Sequence, residues 1–252
     1  MSNSINSHVF IEKAAAKLKS AKRVAILTGA GVSKESGIPT FRDAQTGLWA
    51  NYRPEDLATP EGFLHNPDLV WQWYDSRRKK LLEVSPNPGH YAMAELEQFV
   101  PEVTVITQNV DGLHQQAGSK TVLELHGSIT EFRCFAKGHP INTDNIEFGL
   151  SSPPKCYCGS PYRPGVVWFG ESLPGDVLNK AQNLADSVDT FIVAGTSGIV
   201  QPAASLPFIA AEAGAVVIEI NPEPTPITSA ADIFLQGPSG EIWPKIIGLL
   251  KS

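Results

Sequence analysis

Cysteine is scarce in these 252 residues and comes in an odd number: Cys134, Cys156 and Cys158. Three such residues exclude a disulfide framework, fit a reducing compartment, and leave metal chemistry or plain packing as their use. Long apolar runs are missing as well. The stretches at 24–27 and 191–194 fall far short of the ~20 residues a membrane span needs, and residues 1–23 lack the apolar core of a secretory signal. A soluble, cytoplasmic protein with no membrane partner is expected. Positive charge is in deficit too: 20 Lys and Arg against 26 Asp and Glu give a net charge of −6 and a pI near 5.5. That balance offers no general attraction to nucleic acid. Repeats and low-complexity tracts are absent, which excludes solenoids and fibrous folds. What remains, 42% hydrophobic and 18% charged, is material for one sizeable core.

Short β-branched runs recur at 24–28, 103–107, 121–125, 191–194 and 216–220. Each is apolar nearly throughout instead of alternating, the pattern of strands buried on both faces. Helical patterns lie between them at 9–18, 88–99, 176–187 and 203–213, the last ended by Gly214. Alternation of this kind predicts an α/β fold with a Rossmann-like, doubly wound parallel sheet. The polar or glycine-rich tails of five strands then share one edge: Gly29-Ala30-Gly31, Gln108-Asn109-Val110-Asp111, His126-Gly127-Ser128, Gly195-Thr196-Ser197 and Asn221-Pro222-Glu223. In open α/β sheets that edge binds ligands.

Two stretches break the alternation. Residues 43–85 are rich in Trp, Tyr, Arg and Pro, and 132–164 hold all three cysteines among glycines and prolines. The predicted division is a discontinuous dinucleotide-binding domain (1–42, 86–131 and 165–252) and a small domain made of a helical insertion (43–85) and a cysteine module (132–164).

The loop Gly29-Ala30-Gly31 follows a strand and precedes a helix start, so its backbone can approach a phosphate closely. A tight strand-to-helix turn wants the same glycines for steric reasons. The dehydrogenase fingerprint G-x-G-x-x-G is not completed, because position 34 is Lys, and Asn51 stands where an acid would hold a ribose. Ordinary hydride transfer is therefore disfavoured.

Taken in order, Gly29-Ala30-Gly31-Val32-Ser33, Gly37-Ile38-Pro39-Thr40-Phe41-Arg42, Gln108-Asn109-Val110-Asp111-Gly112-Leu113-His114, His126-Gly127-Ser128, Val167-Trp168-Phe169-Gly170-Glu171 and Gly195-Thr196-Ser197 resemble the successive signatures of the sirtuins, the NAD-dependent protein lysine deacylases. The resemblance implies cleavage of NAD at the nicotinamide–ribose bond and transfer of the acyl group from an acyl-lysine protein or peptide to ADP-ribose. It implies that Phe41 shields the ribose, that Thr40, Arg42 and the Gly29–Gly31 amides lie against phosphate, and that Gln108, Asn109 and Asp111 orient the nicotinamide ribose and carboxamide. Gly195, Thr196, Ser197, Asn221 and Glu223 would line the phosphates and adenine ribose, with Ser239 closing over the adenine. His126 is the implied base, since an imidazole titrates near neutrality; His114 is expected to be structural. Val167, Trp168 and Phe169 would wall the acyl-lysine channel, the alternative being that the aromatics simply belong to the core. An NAD-sensing module or a protein mono-ADP-ribosyltransferase is the competing reading. The oligomeric state is left open, a monomer being compatible.

Residues 68–83 read as a helix whose stripe carries Val70, Tyr74, Arg77 and Leu81. Arg77 on an apolar face must find an anion or reach outward, whereas Arg78, Lys79 and Lys80 are explained as a solvated edge. The Tyr-x-x-Arg pair resembles the sirtuin subclass that removes succinyl, malonyl and glutaryl groups; a structural salt bridge is the alternative. Sirtuins carry two Cys-x-x-Cys pairs around zinc, and this chain departs from that pattern. Lys137 stands in place of the second ligand, and the second pair is contracted to Cys156-Tyr157-Cys158. Three thiolates are one ligand short of a closed site. His139 can complete a Cys₃His set or remain an unliganded loop residue, and the expectation is a module held by packing and turns with little or no zinc.

Overall fold

The computed structural model describes residues 2–39, 52–142 and 146–252. Thr40, Phe41 and Arg42 lie outside the described residues. The strands are β1 (Arg23–Thr28), β2 (Glu102–Thr107), β3 (Val122–Glu124), β4 (Gly127–Cys134), β5 (Pro140–Ile141), β6 (Tyr162–Val166), β7 (Thr190–Ala194), β8 (Val216–Asn221) and β9 (Ile233–Gln236). The helices are α1 (Ser2–Ser20), α2 (Ala30–Lys34), α3 (Pro54–Leu57), α4 (Pro60–His65), α5 (Pro67–Leu81), α6 (Pro88–Glu95), α7 (Leu113–Gln116), α8 (Gly175–Ala185), α9 (Leu206–Glu212) and α10 (Ser239–Lys251).

Six strands form one parallel sheet in the order β3-β2-β1-β7-β8-β9. Residue alternation along each strand explains why the runs are apolar throughout. Val24 and Ile26 of β1 join Ile192 and Ile218 in a core with Leu18 of α1, Met93 of α6 and Trp243 of α10. Ala25 and Leu27 face the other way, with Phe191 and Val193, against Ala181 of α8 and Ala210 of α9. Both sheet faces are thus covered, as a parallel sheet requires. The five strands expected from the sequence are present. The edge strand β9 was not expected, its run being only four residues long.

The chain moves outward from β1 to β2 and β3, then returns to β7 on the opposite side of β1. This reversal opens a crevice at the strands' C-terminal ends. A second, antiparallel sheet, β5-β4-β6, was hidden in the sequence because β6 contains Pro164 and Gly165, residues that normally argue against a strand. Helices α3 to α5 pack on it through Leu57, Phe63, Val70, Trp73 and Tyr74, which meet Ile129, Val166 and Trp168 in one cluster. The sheet on which these helices pack starts at Gly127 and ends at Val166, so β4 and β6 extend beyond the 132–164 stretch at both ends.

Helix α5 departs from expectation at one residue. Arg78 is buried, not part of a solvated edge: its guanidinium lies 4.4 Å from the Phe132 ring centroid, 4.5 Å from that of Phe148 and 3.5 Å from Asp75. Two aromatic faces and a carboxylate replace the water it gives up. Lys79 and Lys80 remain exposed, pairing with Asp75 and Glu83.

Candidate functional site

The two glycine loops interlock across the crevice. Gly29 donates to the Ala194 carbonyl at 3.2 Å and Gly31 to the Gly195 carbonyl at 2.8 Å. A Cβ on Gly31 would stand 2.7 Å from the Gly195 oxygen, and one on Gly195 2.5 Å from the Val32 nitrogen. These glycines therefore allow two backbones to touch. The amides of Gly29 and Gly31 are thus spent on the β7 end, and the Ala30 amide is the member of this loop not engaged there. Gln108 closes the same corner, donating from Nε2 to Thr196 Oγ1 at 3.0 Å.

Beyond β1 and β2 lies a buried polar network. Asn109 donates from Nδ2 to the Gly29 carbonyl and to Ser33 Oγ, each at 3.1 Å, and the Ser33 hydroxyl donates to Asp111 Oδ2 at 2.7 Å. Burial pushes the Asp111 carboxyl above its usual range, opposed by the Leu113 amide, the Ser33 hydroxyl and the Arg77 charge. Behind Ser33 stand His90, whose Nε2 is 3.5 Å from Ser33 Oγ, and His114, whose Nε2 is 2.9 Å from Thr28 Oγ1. His114 is fully buried, its Nδ1 having no hydrogen-bond partner among the described residues. Ser33 and His90 are the members that sequence reasoning missed. The available signal was the cap Asn87-Pro88-Gly89-His90, in which Asn87 caps α6 and donates to the Val32 carbonyl.

His126 sits past the end of β3, partly exposed. Its Nδ1 lies 3.0 Å from the Gln108 carbonyl, which can only accept, so Nδ1 carries the proton and Nε2 presents a lone pair. Burial lowers its pKa against the opposing Gln108 hydrogen bond, which favours the neutral ring. Its own carbonyl accepts from the Val167 amide at 2.8 Å. Val167 thus stands beside His126, Trp168 is buried, and Phe169 is exposed and tied by its amide to the Ala58 carbonyl at 2.9 Å.

Trp168 leads to the helix stripe. Its indole Nε1 donates to Tyr74 Oη at 3.0 Å, leaving the tyrosine its own proton to donate. Burial pushes the Tyr74 hydroxyl up to about 12, so it stays neutral. One turn on, the Arg77 guanidinium packs 5.0 Å from the Trp73 ring, and its Nη1 is shut off from solvent with no hydrogen-bond partner. Among the described residues no carboxylate lies within ion-pair distance of it.

The remaining sequence candidates lie farther along the edge. Ser197 and Glu223 are exposed, Asn221 is bound to the Glu223 carbonyl at 2.7 Å, and Ser239 is buried at the start of α10. At the ends of β1, β2, β3 and β7 the amide, hydroxyl, carboxylate and imidazole groups suit a ribose and a carboxamide.

A family profile described as the Sir2 family matches residues 29–202. The chain belongs to the Sir2 family. Similar relatives include the NAD-dependent protein deacylase of Aquifex aeolicus, 54% identical over 84% of this chain and 89% of that one. Among solved structures, a Sir2 homologue in complex with NAD superposes with a TM-score of 0.88 at 47% identity, covering 95% of this chain and 93% of that chain. A Sir2 protein bound to an acetylated peptide gives 0.84 at 31% identity, covering 95% and 98%.

In this sirtuin the cysteine module gathers its donors. The ligand atoms of Cys134, His139 and Cys156 all lie within 4.8 Å of one another, with His139 Nε2 3.6 Å from Cys156 Sγ. His139 Nδ1 points at the Pro140 carbonyl, 3.3 Å away, which keeps the proton on Nδ1 and leaves Nε2 free to coordinate. Cys158 Sγ is 3.5 Å from Cys134 Sγ, though outside the mutual group of three. Cys134, His139 and Cys156 thus gather three donors of the kind zinc takes, with Cys158 beside Cys134 as the fourth thiol of the Cys₃His alternative. Among the described residues no helix is long and apolar enough to cross a membrane.

Two outcomes follow from this geometry. Burial depresses His90 to about 4 and His114 to about 3, the latter helped by His90 itself. Unfolded imidazoles titrate near ~6.5, so the unfolded chain takes up protons first: stability is complete above that pH and is lost as pH falls toward the folded values. Each histidine should contribute a slope of about 1.4 kcal/mol per pH unit, and His114→Gln should flatten the fall of the urea midpoint between pH 6.5 and 4. An unchanged slope would contradict the assignment. For the metal, elemental analysis of protein purified without chelator should give one zinc per chain, and His139→Ala should lose it. Zinc-free, folded wild-type protein would show that packing alone holds the module.

Proposed function

We propose that this chain is an NAD-dependent protein lysine deacylase with a preference for acidic acyl groups, succinyl, malonyl and glutaryl, over acetyl. NAD, when bound, supplies the ribose that releases nicotinamide and accepts the acyl group. The chain's own residues do the rest. Asn109, Ser33 and Asp111 form a fixed, hydrogen-bonded surface for the nicotinamide end, and His126 Nε2 takes a proton from a ribose hydroxyl. The neutral, single-tautomer imidazole favours an enzyme over a sensing module, because a pure binder has no use for a base held in that form. Val167 to Phe169 would pair with the peptide and wall the acyl-lysine channel.

The observation that carries the acidic-acyl reading is the Arg77 nitrogen with no hydrogen-bond partner among the described residues, whose charge is felt at the Tyr74 hydroxyl. A guanidinium away from water stays charged and is poorly satisfied by a ring face alone; a carboxylate at the far end of the acyl chain meets both donors. An acetyl group leaves them as they are.

His126→Ala should reduce turnover by about 10²–10⁴ while leaving ADP-ribose binding measurable by calorimetry. In the wild type kcat/KM should fall only on the acid side, with a midpoint below the ordinary imidazole value. Undiminished turnover in the variant would remove His126 from the mechanism. Arg77→Met should lower kcat/KM for a succinyl peptide by about 2–5 kcal/mol of transition-state binding and spare the acetyl form of the same peptide. A ratio equal to that of the wild type would make Arg77 structural and end the acidic-acyl reading, while deacylation itself would stand.

A further inference from the structure

The segment from the end of β6 to Glu171 is anchored in the apolar cluster by Trp168, and four hydrogen bonds set the path of its backbone. Val167 donates to His126 and Phe169 to Ala58. Glu171 Oε2 accepts the Trp168 amide at 2.8 Å, and the Glu171 amide returns to the Trp168 carbonyl at 3.0 Å. Gly170, at φ +86°, makes that turn possible.

The Glu171 carboxylate is held in turn by two arginines. Arg163, only 4% exposed, reaches Oε1 from Nη1 at 2.5 Å and Oε2 from Nη2 at 2.9 Å, a bidentate pair. Arg133 reaches Oε2 from Nη2 at 3.1 Å. Both arginines also donate to the Val166 carbonyl, at 2.9 and 3.0 Å. They face each other across one rung of the β4–β6 ladder, a placement of like charges that is unfavourable unless an anion lies between them. Burial pushes the Glu171 carboxyl up, but the Arg163 and Trp168 hydrogen bonds outweigh it and hold it below its usual range. The Arg163 guanidinium also lies 3.4 Å from the Trp168 ring centroid, so the arginine that holds Glu171 also supports the indole whose Nε1 meets Tyr74.

We propose that Glu171, gripped by Arg133 and Arg163, is a positioning residue for the acyl-lysine peptide. It sets where Val167 to Phe169 stand relative to His126, and it fixes the indole that orients Tyr74. Arg133 neighbours Cys134 on β4 and Cys134 pairs with Tyr162 on β6, so the same ladder joins the cysteine cluster to the substrate segment. This role rests on the deacylase reading and adds to it a residue that touches neither substrate nor NAD.

The test is a split between substrates. In Glu171→Gln, an isosteric change that places an amide nitrogen among donors, KM for an acyl-lysine peptide should rise tenfold or more. KM for NAD should stay within twofold of the wild-type value. Arg133→Met, at a partly exposed position that leaves the Arg163 pair intact, should give a smaller rise of the same kind and keeps the test open if the first variant does not fold. Glu171→Asp should recover part of the loss. A folded variant of either residue whose peptide KM matches the wild type, or whose two KM values rise together, overturns the positioning role and leaves deacylation untouched. A wild-type protein that turns over no acyl peptide overturns the deacylase reading, and the role with it.

Discussion

The contact on which the site depends is the one between Gly31 and Gly195. Two strand ends from opposite sides of the reversal in strand order meet there, backbone to backbone at 2.8 Å, where a single methyl group would force them apart. That approach lets the two turns close over the β1–β7 ladder. It brings Ser33, on α2, within reach of Asn109 past the end of β2, and it leaves Thr196 where Gln108 can reach it. The polar network is then a consequence of sheet geometry. No loop has to fold around a ligand to make it, and its members are tied to strands covered on both faces by helices, the most rigid part of the molecule.

Charge is distributed by a consistent rule, and one residue departs from it. Arg78 is buried between two rings and has Asp75; Arg163 is buried against Trp168 and has Glu171. Each buried guanidinium has both an aromatic face and a carboxylate. Arg77 has the aromatic face, Trp73, without a carboxylate partner among the described residues. Its charge is felt by Tyr74 and Asp111, and burial lowers its pKa, yet Nη1 bonds to nothing among the described residues. An incomplete version of an arrangement that the chain completes twice elsewhere is the physical basis of the acidic-acyl proposal.

Much of this was legible in the sequence, for reasons that can be stated. Five strands were readable because strands buried on both faces have no polar residues to confuse the pattern, and the edge motifs were readable because glycine, asparagine and histidine break that pattern abruptly. The antiparallel sheet was not readable, since Pro164 and Gly165 interrupt β6 and a register shift between Ser128 and Phe132 bends β4. Arg78 was misread because helical spacing places a residue on a face without saying what covers it; Phe132 and Phe148 come from distant sequence. The partners of the Gly29 and Gly31 amides were not readable for a related reason, as they lie some 165 residues further on, at the end of β7. His139 could be named but not placed, because only the folded module brings it to Cys156.

The central claim is that this site joins acyl-lysine to NAD and reads the charge at the end of the acyl chain. The most direct measurement offers wild-type protein NAD and an equimolar mixture of succinyl and acetyl forms of one lysine peptide, and follows all products by mass spectrometry. The account predicts one nicotinamide released per acyl group removed, with succinyl-ADP-ribose formed well ahead of acetyl-ADP-ribose. Nicotinamide released with no acyl-ADP-ribose, or acetyl consumed ahead of succinyl, would contradict it.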